Sequence, residues 1–217
     1  MRHLAEGVHG FQRDVFPARA ELFAHLATTH RPGTLFISCS DARVVPELIT
    51  QREPGELFVI RTAGNLVPAH TPAADAVAAS IEYAVAVLGV GDVIVCGHSA
   101  CGAMTALADG HDLTAVPAVA GWLRHADAAR ARTTPAQDVP AAQATQGAEG
   151  AGVAGGKVAA LVRDNVLAQL ANLATHPSVA RALARGALSL HGWVYDIGSG
   201  TVEELDAASG RFTALAA

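Results

Sequence analysis

The sequence predicts an α/β protein with a mostly parallel central sheet flanked by helices. β-favouring apolar runs at 34–38, 57–61 and 93–96 alternate with helix-compatible segments at 44–49 and 72–88. Such alternation argues for a parallel sheet joined by right-handed crossovers. The chain has 217 residues, of which 51% are hydrophobic and 16% charged. That is enough for one well-buried core, and residues 1–217 are expected to form one domain.

Residues 1–30 form an N-terminal helical arm. Phe11, Val15, Phe16, Leu22, Phe23 and Leu26 stand at helical spacings, and Pro17 divides the segment into two short helices. Arg31-Pro32-Gly33 turns the chain into the first strand, which ends in Cys39-Ser40-Asp41-Ala42-Arg43. Glu53-Pro54-Gly55-Glu56 marks a turn before the second strand. In the long helix at 72–88, Pro72 suits a first turn and Thr71 a cap, and Gly89 with Gly91 ends it. The third strand runs into Gly97-His98-Ser99-Ala100-Cys101-Gly102.

Residues 103–131 read as helical pieces around Pro117, with Trp122-Leu123-Arg124-His125 exposed on one turn. Residues 132–156, rich in Ala, Gly, Gln and Thr, read as a flexible connection. Helices follow at 158–173, with Asn165 and Gln169 on its apolar stripe, and at 178–185. A last strand pair is expected at 187–195 and 201–204.

The bulk numbers exclude several classes. A net charge of −5 with a single lysine, Lys157, argues against nucleic acid, which needs a clustered basic surface. No apolar run reaches the ~18 residues of a membrane span, and Met1-Arg2-His3-Leu4-Ala5-Glu6 lacks the apolar region of a signal peptide. Three cysteines, an odd number, point to reduced thiols in a cytoplasm. Alanine supplies much of the apolar fraction and aromatics only 5%, which leaves part of the buried surface to contacts between subunits.

Cys39 closes one strand, and His98 and Cys101 follow another. In an α/β sheet, ligands bind beyond the carboxyl ends of the strands. Thiolate and imidazole are ligands zinc prefers, and three of them leave a fourth position open for chemistry. The bland alternative is a pair of buried strand-end cysteines and a hydrogen-bonded histidine. Cys96 is a competing thiol, although a cysteine in Val-Ile-Val-Cys reads more readily as a small core residue. Asp41 could be a fourth ligand or an acceptor held away from the metal by Arg43. It could also simply cap the next helix. His70, His111, His125 and His176 could relay protons, but surface solvation is the expected role of each.

At Cys39-Ser40-Asp41-Ala42-Arg43 and His98-Ser99-Ala100-Cys101-Gly102 the chain closely resembles the β-class carbonic anhydrases. The likeness continues through residues 53–61, 64–68, 81–84, 165–167 and 191–196, so it covers roughly residues 10 to 205. The resemblance implies an enzyme that interconverts CO2 with bicarbonate and a proton by attack of a zinc-bound hydroxide. One zinc per subunit would be held by Cys39, His98 and Cys101, with Asp41 and Arg43 as the catalytic dyad and Asp41 as a fourth ligand in a closed state. It further implies substrate contacts matching His30, Phe58, Tyr83 and Gly102, helices on both sheet faces, and a homodimer or homotetramer whose N-terminal helices embrace the partner.

Three positions depart from the family pattern. His30 stands where a glutamine is usual, Thr62 follows Arg61 in place of asparagine, and Phe36 replaces the tryptophan of the bicarbonate-inhibited branch. The non-allosteric branch is therefore expected. Two rival functions share the scaffold: hydrolysis of CS2 or COS, and non-catalytic binding of zinc or bicarbonate.

Overall fold

Six strands form one sheet in the order β2-β1-β3-β4-β5-β6, in a computed structural model that describes residues 1–73, 75–133 and 156–215. β1 (Thr34–Cys39), β2 (Leu57–Thr62), β3 (Asp92–His98) and β4 (Ser189–Tyr195) are parallel. β5 (Val202–Asp206) and β6 (Arg211–Ala214) extend the sheet antiparallel. The sheet is thus mostly parallel, as the strand–helix alternation predicts, but its last part is a three-strand meander rather than the expected pair. β6 carries only Phe212 as a large apolar residue, and it pairs with β5 across the Asp206–Arg211 turn.

The arm consists of α1 (Arg2–Gly10), a π-helical stretch at Phe11–Val15, a 3-10 turn at Pro17–Arg19 and α2 (Ala20–Leu26). Pro17 opens the 3-10 turn, where its missing N–H costs nothing. The arm buries no residue fully, and Leu4, Val8, Phe11, Val15 and Phe16 stay exposed.

After β1 comes the short α3 (Pro46–Thr50). α4 (Ala76–Glu82) continues as a π-helical stretch, Tyr83–Leu88, and ends on a left-handed Gly89. Its start corrects the expected one at Pro72. Asp75, not Thr71, is the cap, because its carboxylate accepts the Val77 and Ala78 N–H groups at 2.8 and 2.9 Å. α5 (Gly102–Asp109), α6 (Pro117–Leu123) and α7 (Asp127–Thr133) follow β3. The expected flexible connection at 132–156 lies almost wholly outside the described residues.

α8 (Lys157–Ala174) packs on β3 and β4. The approach is close because both strands carry glycine there. A Cβ on Gly97 would meet Val162 and Val166 at 3.0 Å, and one on Gly192 would meet Val166 at 2.9 Å. α9 (Pro177–Ala184) is the last helix among the described residues. The main core lies between these helices and one sheet face, around Leu35, Ile37, Val95, Met104, Leu161 and Val166. On the other face a smaller cluster of strand residues, Phe36, Ile94 and Cys96, packs with Leu57, Val59, Trp193 and Tyr195.

Two surface expectations are overturned. Leu123 is buried and Trp122 half-buried, its indole N–H donating to the Ala63 carbonyl at 2.9 Å. His176 is only 2% exposed, with Nε2 donating to the Pro68 carbonyl at 3.0 Å. A polar ring this deep needs that bond, because an unpaired buried donor is costly.

Candidate metal centre

The carboxyl ends of β1 and β3 lie side by side, so Cys39 and His98 arrive from neighbouring strands. Cys101 reaches the same point as the cap residue of α5. Between them Ala100 takes a left-handed conformation, φ 53°, which folds the His98–Cys101 turn back on itself. The ligand atoms of Cys39, His98 and Cys101 lie within 4.8 Å of one another, and all three residues are buried. His98 Nδ1–H donates to its neighbour's carbonyl, Ser99 O, at 2.9 Å. That bond places a proton on Nδ1 and turns Nε2, the metal-binding nitrogen of a neutral imidazole, inward.

Nε2 is buried and has no hydrogen-bond partner among the described residues. Ser38 Oγ and Asn65 Nδ2 share that condition, but neither is a soft metal donor. Two thiols and an inward imidazole lone pair are the donor set of a tetrahedral site with one position left over. The residues therefore fit a metal ion. The Cys39 thiol is held far below the ordinary range by the hydrogen bond from Cys101, and Cys101 is correspondingly pushed up. The Gly64 N–H also donates to Cys39 Sγ, at 3.4 Å.

At the rim, Arg43 donates twice in parallel to Asp41, Nε to Oδ1 at 2.9 Å and Nη2 to Oδ2 at 2.7 Å. The Arg43 backbone N–H adds a third bond, to Oδ1 at 3.0 Å. The same Nη2 reaches the Ala100 carbonyl at 3.1 Å, which ties Asp41 to the ligand turn. These bonds to Arg43 hold the Asp41 carboxyl well below the usual carboxylate range. Asp41 Oδ2 stands 3.9 Å from His98 Nε2.

The chain as a whole is similar to known proteins. The carbonic anhydrase family pattern matches residues 34–202. A carbonic anhydrase of Pseudomonas aeruginosa is 58% identical over all of this chain and 92% of its own length. Carbonic anhydrase 1 of Escherichia coli is 53% identical, again over all of this chain and 93% of its own. The solved β-carbonic anhydrase CcaA superposes with a TM-score of 0.88 at 39% identity, covering 100% of this chain and 92% of that one. This chain belongs to the β-class carbonic anhydrases. A tetrameric β-carbonic anhydrase of Sordaria macrospora is also similar, with a TM-score of 0.70 at 30% identity over 98% and 94% of the two chains.

The remaining candidate residues of this β-carbonic anhydrase fall into three places. His30, Phe58 and Tyr83 form a row of rings, His30 to Phe58 at 6.2 Å and Phe58 to Tyr83 at 6.0 Å. Among the described residues, none of the three shares a hydrogen bond or ring contact with Cys39, His98 or Cys101. Gly102 opens α5, and the space its Cβ would fill is empty. Cys96 lies in the far cluster, fully buried, its thiol pushed up to about 12 by burial.

Two groups that shape the site were invisible as such in the sequence. Arg61 donates to the Cys39 and Asp41 carbonyls at 3.0 and 2.6 Å, holding the strand end in shape. Thr62 Oγ1 donates to the Leu66 carbonyl at 2.9 Å and closes the turn carrying Gly64. Their motif was legible but these partners were not.

Proposed function

We propose that this β-carbonic anhydrase hydrates CO2 reversibly to bicarbonate and a proton at a zinc ion held by Cys39, His98 and Cys101. The observation that carries the reading is the buried Cys2His group within 4.8 Å, with Asp41 gripped at its edge but outside it. A zinc ion held there supplies a Lewis acid that lowers the pKa of a water at the remaining position.

The chain's own residues supply the orientation. Asp41 Oδ1 already accepts two bonds from Arg43, whereas Oδ2 accepts one. A carboxylate oxygen has about two acceptor sites. Oδ2 therefore retains one, and it is the oxygen nearer His98. It holds the proton of the attacking water and aims that water's free lone pair at the carbon. The grip of Arg43 supports this acceptor role over that of a fourth ligand. Phe58 and Tyr83 form the aromatic wall of a cleft that a dimer builds, with His30 beside Phe58 as donor, and the open space at Gly102 receives substrate. The exposed apolar residues of the arm support a homodimer or a pair of dimers, and the reduced thiols a cytoplasmic enzyme.

Stopped-flow hydration of CO2 by the zinc-loaded protein tests this, with COS, CS2 and bicarbonate binding run beside it. Fast CO2 turnover is the expected result. Turnover of CS2 or COS alone, or bicarbonate binding without turnover, would replace the reading with a rival.

A further inference from the structure

α8 buries two amide side chains, Asn165 and Gln169, both fully inaccessible, on the face it turns to the main core. A polar pair in that position is costly unless every group is bonded. Here the bonds link α8 to the turn beside the metal centre and to the His125 carbonyl. Asn165 Nδ2 donates to the Gly64 carbonyl at 2.9 Å, and Gln169 Nε2 donates to Asn165 Oδ1 at 2.9 Å and to the His125 carbonyl at 3.1 Å. Gln169 Oε1 accepts the Val67 N–H at 2.8 Å, and Asn172 Nδ2 donates to the Val67 carbonyl at 2.9 Å.

Gly64 and Val67 belong to the turn that follows β2, held at both ends by amides about a hundred residues away. Inside it Gly64 and Asn65 are both left-handed, φ 72° and 49°. A Cβ on Gly64 would meet Ala103 at 3.0 Å and Met104 at 3.2 Å, so α5 presses on the turn from the other side. What this clamp presents is the Gly64 N–H, directed at Cys39 Sγ at 3.4 Å.

We propose that Asn165 and Gln169 are positioning residues for the metal centre, holding the Gly64 N–H on the Cys39 sulfur and thereby tuning how strongly that thiolate donates to the ion. The inference rests on the zinc reading above. Two thiolates cancel the formal charge of a divalent metal and weaken its action as a Lewis acid. An N–H bond to one sulfur withdraws part of that charge and restores some of it, the kind of control that groups behind metal ligands exert.

Cobalt(II) in place of zinc reads this without any assay of turnover. Wild-type protein should give a sulfur-to-cobalt charge-transfer band; a wild type that binds no cobalt through sulfur removes the zinc reading itself. In Asn165→Leu the band should move to lower energy, because the freed thiolate is the better donor, and zinc affinity in chelator competition should change by about 10-fold. Leu161→Ala, a core truncation on the same helix that removes no hydrogen bond to the turn, should lower stability and leave the band in place. Gln169→Met removes the Val67 bond with little change in volume, and carries the test should Asn165→Leu not fold. A band unmoved in a folded amide variant, or moved equally in Leu161→Ala, overturns the proposal.

Discussion

Arg43 holds Asp41 through two parallel side-chain bonds of 2.9 and 2.7 Å, and the same guanidinium reaches the Ala100 carbonyl between the second and third metal-ligand candidates. One arginine therefore sets the carboxylate relative to the ligand turn. A lysine offers a point charge in place of that planar fork. Arg43→Lys should keep its zinc and lose about 10- to 100-fold in CO2 hydration. Wild-type turnover in that variant would show that the fork is not needed.

The depressed pKa of Asp41 fixes a sign. Its folded-state value lies below the unfolded one, near 4. Its contribution to stability is therefore present above about pH 4 and fades as pH falls toward the folded value. Asp41 stays ionised throughout the neutral range and cannot be the group that switches activity there. The hydration rate should still climb between about pH 6 and 9, as the water at the metal titrates. A flat profile would contradict the mechanism.

Cys96 lies fully buried on the far face of the sheet, its thiol pushed up by burial. Cys96→Ala removes one small core group and should cost about 1 kcal/mol in a denaturant melt. Zinc content, measured by elemental analysis, should stay unchanged. Loss of metal would make Cys96 a ligand after all.

Three glycines separate packing from access. Gly192→Ala drives a Cβ to 2.9 Å from Val166 and should destabilise by about 1–3 kcal/mol. Gly97→Ala should do the same against Val162 and Val166. Gly102→Ala meets nothing and should melt like wild type, while narrowing the space in which substrate is proposed to sit. Equal melting of all three would mean that α8 moves freely on the sheet.

His30 packs on the Phe58 ring and is exposed. An amide can donate the bond assigned to its imidazole. His30→Gln should preserve or raise the hydration rate, and a collapse of kcat would give His30 a role of its own.

Sequence patterns carried the parallel part of the sheet, because short β-branched runs bounded by glycine and proline leave few other solutions. Cys39, His98 and Cys101 were legible because their chemistry is specific and they stand at a strand end or in the turn just beyond one. What depended on distant partners was not. Thr71 and Pro72 had the right residue types to open α4, yet Asp75, three residues later, is the cap that finds two N–H groups. His176 reads as one more surface histidine until the Pro68 carbonyl arrives above it. Asn165 and Gln169 fell correctly on the buried stripe of α8, but the 63–67 turn they hold lies about a hundred residues away.

In the proposed mechanism three residues hold the metal while Asp41 works beside it without holding it. Zinc content and CO2 hydration measured together on Asp41→Ala test this most directly. One zinc per chain with most turnover lost is the predicted result. Loss of the zinc, or full turnover with the zinc in place, would contradict it.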